Sequence, residues 1–112
     1  MSEDCPFCKR IRAGKFDGPA RLGCVTFEPL NPVTPGHRLV VPITHFEAAD
    51  DDPERTGWAF RVAAELARRD DLAAFNLITS AGPAATQTVK HLHVHIIPRH
   101  PGDGLMLPWT VP

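Results

Sequence analysis

The stretch KHLHVHIIPRHPGDG, residues 90–104, places His91, His93 and His95 at every second position with single apolar residues between them. In an extended chain successive side chains point to opposite faces, so Leu92, Val94 and Ile96 share one face and the three histidines the other. A helix would scatter the same rings around its axis. The alternation therefore predicts a strand with one face on a core and one face lined with imidazole. At a rise of ~3.3 Å per residue, neighbouring histidines stand ~6.6 Å apart and the outer pair ~13 Å. One zinc ion, with ligand bonds of ~2.0–2.1 Å to nitrogen, can take two neighbours on such a strand but not all three, so the row must divide its labour. Glu, Lys or Thr would serve a merely wetted face, whereas His is used where a group must titrate, ligate or attack near neutral pH. A row of imidazoles beside a loop suits an anionic centre such as a phosphate. One ring can attack phosphorus while its neighbours donate to the non-bridging and leaving oxygens.

Upstream of this strand, SAGPAATQTV (residues 80–89) reads as a loop and AFNLIT (74–79) as a strand. The run DDDPE at 50–54 is a helix start, with an Asp cap, Pro at the first helical position and acidic residues at the positive end of the dipole. Trp58, Ala59, Val62, Ala63 and Leu66 then recur at helical spacing, a stripe for the core or for a second subunit, while Arg61, Glu65, Arg68 and Arg69 point elsewhere. Further back lie a strand over 37–41 that ends at Pro42, a loop over 29–36 with three prolines, and a strand within 21–28 in which Cys24 reads as core. A short helix over 9–13 is stopped by Gly14. The order strand, strand, helix, strand, strand predicts an α+β fold, an antiparallel sheet covered on one face.

The chain has 112 residues and 43% hydrophobic content, enough for one domain. Twelve basic and thirteen acidic side chains leave a net charge of -1, so no overall field draws it to nucleic acid or an anionic membrane. Any anionic ligand must be held locally. The apolar runs are too short to span a bilayer and MSEDCPFCKR lacks the apolar core of a signal peptide, a pattern that points to the cytoplasm. In a reducing compartment Cys5-Pro6-Phe7-Cys8 suggests metal or redox chemistry before a disulfide framework. A redox pair normally opens a helix of a βαβ unit, and the element order supplies none. As half of a metal site the pair needs two more ligands, for which His45 and His91 are the candidates; a loose terminus is the alternative.

HLHVHII (91–97) resembles the His-φ-His-φ-His-φ-φ signature of the histidine triad (HIT) superfamily of nucleotide hydrolases and transferases. The likeness extends along the chain. NPVTPGHRLVVPITHFE (31–47) resembles the superfamily's Pro-x-x-x-Gly-His-φ-φ-φ-φ-Pro-x-x-His strand, GPAATQTVKH (82–91) the loop of its fragile-histidine-triad branch, and IIPRHPGDG (96–104) the segment after the triad in bacterial members. The resemblance implies the HIT-like α+β fold, about five antiparallel strands with one main helix. It implies a single domain over 1–112, with a zinc-knuckle arm at 1–13 and a tail at 105–112, paired as a homodimer through the 58–66 stripe and a tail carrying Trp109.

For the chemistry, the resemblance implies hydrolysis at the α-phosphate of a purine nucleoside phosphoramidate or a dinucleoside polyphosphate. His93 is the implied nucleophile, forming a covalent nucleotidyl-histidine that water hydrolyses, and His95 and His37 complete the catalytic set. Gln87 and Thr88 are implied phosphate contacts, and Phe27 and Asn31 substrate contacts. Cys5, Cys8, His45 and His91 are implied ligands of a structural zinc. His95 stands where the sugar uridylyltransferase branch carries Gln, which favours hydrolysis over nucleotidyl exchange. Three positions depart from the pattern: Pro29 where a polar ribose contact is usual, with Glu28 and Asn31 as its polar neighbours, Thr86 where Gly is typical, and Ser80 where Hint-like members have Asn. The alternative function is a zinc-stabilised nucleotide- or partner-binding module with little or no catalysis. The nucleic-acid end-processing branches carry additional binding parts, for which this chain has neither spare length nor positive charge.

Overall fold

Five strands form one antiparallel sheet in the order β1-β2-β3-β5-β4, in a computed structural model that describes residues 4–110. The first three residues of the arm and the last two of the tail lie outside the described residues. The strands are β1 (Asp17–Arg21), β2 (Cys24–Phe27), β3 (Arg38–Pro42), β4 (Phe75–Ile78) and β5 (Val94–Pro98), and the helices are α1 (Pro6–Arg12) and α2 (Pro53–Arg69). Short 3₁₀ turns occur at Ala49–Asp51 and Pro83–Ala85.

Helix α2 starts as its sequence dictates: the Asp52 carboxylate accepts the Arg55 N–H at 3.0 Å and Pro53 opens the first turn. Its Ala59, Val62 and Ala63 pack on Cys24, Val40, Leu92, Val94 and Ile96 in the main core. Of the two expectations for the stripe, core or second subunit, this is the core. Its small residues are buried in the chain's own core, and Trp58, 38% exposed, is the stripe's main outward contribution. The expectation for Cys24 holds: it is buried, and burial pushes its thiol up to about 11.

The sheet's second face is covered too, contrary to the one-sided reading. Phe7 and Ile11 of α1, with Phe16 and Ile43, pack against Val25, Phe27, Leu39 and Val41. Helix α1 begins three residues earlier than the sequence signal, because the Cys5 sulfur accepts the Cys8 N–H at 3.4 Å and so caps the first turn. Strand β1 has no hydrophobic period, since all five of its residues are exposed. It pairs with β2 at Asp17↔Thr26 and Arg21↔Cys24 with an irregularity between, and tolerates Pro19 because it lies at the sheet's edge. A two-residue turn at Leu22 and Gly23, both at positive φ (50° and 70°), closes this hairpin.

At the other end, the Arg99 guanidinium grips Asp103, the Asn76 side-chain oxygen at 2.7 Å and the Leu105 carbonyl at 2.9 Å, and so ties the start of the tail to edge strand β4. No helix among the described residues is long and apolar enough to cross a membrane.

Candidate active site and metal centre

The three alternating histidines divide between two places, a donor cluster and an open cleft. His91 is fully buried, and it joins Cys5, Cys8 and His45 in a cluster whose donor atoms all lie within 4.8 Å of one another. Cys5 Sγ and Cys8 Sγ stand 3.3 and 3.5 Å from His91 Nδ1, Cys8 Sγ 3.4 Å from His45 Nδ1, and the two Nδ1 atoms 3.1 Å apart. Donors around a tetrahedral ion with bonds of ~2.0–2.3 Å sit ~3.3–3.8 Å from each other; the three sulfur–nitrogen spacings lie in that range and the two Nδ1 atoms are slightly closer. The His91 Nε2–H donates to the Pro42 carbonyl at 2.7 Å, which fixes the tautomer and aims the Nδ1 lone pair into the cluster. Burial holds His91 neutral, its pKa pushed down to about 4. The four residues named from the sequence are brought together as a candidate metal site with two soft and two borderline donors.

His93, His95 and His37 line a separate open cleft of about 290 Å³, with Val33, Ile78 and Ile97 as its apolar walls. Pairing of Leu39 with His95 across β3 and β5, and of Ile78 with His95 across β4 and β5, puts the His95 ring on the same face as α1, beside the part that the helix covers. Gly36, just before His37, has a φ of +84°, and a β-carbon there would come within 3.3 Å of Pro98 Cγ, so glycine lets the loop meet β5 closely.

Hydrogen bonds assign every ring proton in the cleft. Val33 N–H donates to His37 Nδ1 at 3.1 Å, so the His37 proton is on Nε2 and donates to His95 Nδ1 at 2.9 Å. His95 then carries its own proton on Nε2. The His93 Nδ1–H donates to the His91 carbonyl at 2.8 Å and leaves Nε2 as a free lone pair. All three rings are held towards the neutral form. Burial lowers His37 against a small opposing effect of the Glu28 charge; burial lowers His93 against its bond to the His91 carbonyl; burial, then His93 and His37, bring His95 to about 4. The arrangement offers one nucleophilic nitrogen beside one N–H donor.

The remaining sequence candidates divide. Thr88 and Gln87 line the cleft, as do Thr86 and Ser80. The Gln87 amide, however, is bound within the chain: its Oε1 accepts Gly82 N–H at 2.9 Å and its Nε2 donates to the Glu47 and Val89 carbonyls at 2.6 and 3.1 Å. Gln87 therefore braces the loop. Thr86 sits at φ +67°, in the left-handed region that a β-branched residue rarely occupies. Two candidates fall outside the cleft. Phe27, at 1% exposure, belongs to the core beneath α1, because β2 alternation turns it inward with Val25; Asn31 is exposed on the proline loop and is not among the cleft residues. Phe7, which the sequence reading passed over, stands at a ring distance of 5.1 Å from His93 and 5.9 Å from His91. Its only signal was an aromatic residue enclosed by two thiols.

Comparison with known proteins agrees with this geometry. Residues 22–102 match the HIT domain family. Protein hit of Bacillus subtilis is 36% identical over 118 residues, covering 96% of this chain and 80% of that one. The adenosine 5'-monophosphoramidase of Saccharomyces cerevisiae is 31% identical over 109 residues, covering 94% and 69%. Among solved structures, a zinc-bound histidine triad family protein from Mycobacterium smegmatis superposes with a TM-score of 0.74 at 30% identity, covering 95% of this chain and 82% of that one. With its triad divided between a four-donor cluster and an imidazole cleft, and with this sequence similarity along most of its length, the chain belongs to the HIT family.

Proposed function

We propose that the protein is a nucleotide hydrolase that acts at the α-phosphate of a purine nucleoside phosphoramidate or a dinucleoside polyphosphate. The observation that carries this reading is the His93 Nδ1–H···O=C bond to His91, which leaves Nε2 unprotonated and facing the chemistry as a neutral nucleophile. His93 Nε2 forms the bond to phosphorus as the bond to the leaving group breaks. The His95 N–H, backed by His37 Nε2–H, stabilises the charge that develops on the phosphoryl or leaving atom. Water then cleaves the nucleotidyl-histidine and restores His93. The Thr88 hydroxyl and the backbone of the 82–88 loop supply further donors to phosphate oxygens. The named yeast relative acts on an adenosine monophosphoramidate, which supports the phosphoramidate class.

Cys5, Cys8, His45 and His91 would hold a structural zinc, and the donor chemistry of two thiolates with two imidazoles supports that choice of metal. A closed four-donor set leaves no position for a reacting water, so it supplies stability and not a step. Pairing with a second copy is also part of the proposal. Met106 at 60% and Trp109 at 76% exposure in the tail, and Phe75 at 40% on the edge strand β4, supply apolar surface for it.

A second reading, a nucleotide-binding module without turnover, draws on the Gln87 amide, which is bound within the chain and so does not reach a phosphate. Incubation with an adenosine phosphoramidate and with diadenosine polyphosphates distinguishes the two. Release of AMP, abolished in His93→Ala, is the expected result; tight nucleotide binding with no AMP from any of these substrates favours the module.

A further inference from the structure

We infer that Phe7 is a positioning residue for His93, and that through Phe7 the orientation of the nucleophile depends on occupancy of the four-donor cluster. The inference rests on the reading of His93 as the nucleophile. An imidazole turns about a broad torsion, so its hydrogen bond alone leaves room for rocking, and a half-turn of the ring is open to it whenever that bond breaks. Three neighbours restrict His93. The His91 carbonyl accepts from Nδ1 at 2.8 Å, the His95 ring lies 5.0 Å away at an interplanar angle of 63°, and the Phe7 ring lies 5.1 Å away at 83°, an edge-to-face contact. Two of the three come from the same short run, residues 91–95, of which only His95 lies in β5. Phe7 is the only one contributed by a different element.

That element has little stability of its own. Helix α1 is seven residues long, well below the length at which an isolated helix persists in water. It is held at its start by Cys5 and Cys8, both members of the cluster, and along its flank by the contact of Phe7 with Phe27 at 5.5 Å and by Ile11. Phe7 lies between the two thiols in sequence and touches His91 as well as His93, so it is fixed from both sides by metal-site residues. Release of the thiolates frees the first turn of α1 and with it one wall of the His93 ring. The metal thus acts on the reaction through a hydrocarbon ring, without approaching the phosphate.

The test uses purified holoprotein in four forms: wild type, Phe7→Ala, Phe7→Leu and His93→Ala, with metal content measured on each. The expected result is unchanged metal content, a kcat reduced ~10-fold or more in Phe7→Ala with KM within about twofold, and a smaller loss in Phe7→Leu, since misplacing a reacting group by about 1 Å can lower turnover ~100-fold. Phe7→Leu keeps most of the volume, and it carries the test if the alanine variant fails to fold. Imidazole ¹⁵N spectra give a readout independent of activity. Wild type shows His93 as a single Nδ1–H tautomer, the Phe7 variants show a mixture, and chelator-treated wild type shows the same mixture before α2 loses its circular dichroism. Unchanged kcat and a single tautomer in metal-replete Phe7→Leu would overturn the positioning role. A His93 signal that stays single until global unfolding would overturn the dependence on metal. Turnover retained in His93→Ala would instead sink the nucleophile assignment, which keeps the two failures apart.

Discussion

At the scale of single residues, His93 and Thr86 face the same cleft with opposite consequences for stability. His93→Ala removes a side chain that borders a ligand cleft, so the fold should survive while turnover falls ~10³-fold or more, as measured by AMP release. Near-normal turnover in the folded variant means that another group attacks. Thr86 is a different case. A β-branched residue at φ +67° sits in a backbone region worth roughly 1–3 kcal/mol of strain, part of which Thr86→Gly relieves before the added freedom of the unfolded chain is counted. A melting temperature raised by about 4 °C is expected, and calorimetry showing no rise would mean that the loop relaxes without glycine. The residue scale also holds the proton arithmetic. His95 has a folded pKa of about 4 against an ordinary 6.5, so the unfolded chain takes up protons that the folded chain refuses. Stability is therefore full above about 6.5 and falls as the pH drops from 6.5 towards 4, and His37 adds in the same direction. Thermal melts across that window should show a shallower slope for His95→Asn than for wild type, and parallel slopes would refute the assignment.

At the scale of elements, α1 is where the sequence was hardest to read and where the structure adds most. A sulfur atom caps it, and sulfur is not among the capping groups that sequence patterns announce, so the helix begins at Pro6 instead of residue 9. Strand β1 escaped for a related reason. An edge strand with every residue exposed has no apolar period to detect, and only its pairing with β2 defines it. The strand over 94–98 was legible because alternation is a property of the chain alone, but it begins later than the pattern announced: only His95 lies within it, and His91 and His93 precede it. The histidines' division of labour was legible too, since ~13 Å separates rings that a single ion would have to gather. The cleft histidines and the four cluster residues followed from local patterns and from resemblance. Phe27 did not, because whether a strand residue faces a core or a ligand is decided by what packs above it, here α1. Cys5→Ser combined with Cys8→Ser should remove the metal and unpin this helix, lowering the melting temperature by about 10 °C or more. Elemental analysis should find about one zinc per chain before the change and none after; metal-free protein of unchanged stability would return the CPFC stretch to a loose terminus.

At the scale of the whole molecule, the two faces of the sheet have different duties. The α2 face is a closed hydrophobic core, and the other face is shared between α1 and the cleft. Because the small residues of α2 are buried within the chain, the proposed pairing with a second copy would have to use other surface, for which the β4 edge and the tail are the candidates. Sedimentation at micromolar concentration should give twice the chain mass, and Trp109→Ala with Met106→Ala should shift the protein towards monomer. A concentration-independent monomer in the unaltered protein would refute the pairing.

The chain has an odd number of cysteines, and the placement of each has a consequence for handling the protein in air. Cys24 is 2% exposed with its thiol pushed up to about 11, so it is both shielded and protonated, a poor target for alkylating reagents or peroxide. Cys5 and Cys8 are buried in the cluster, where a bound ion would occupy their sulfur lone pairs. Iodoacetamide should then find almost no reactive thiol on the intact protein, and carbamidomethylation at residues 5 and 8 becomes a direct count of molecules that have lost their ion.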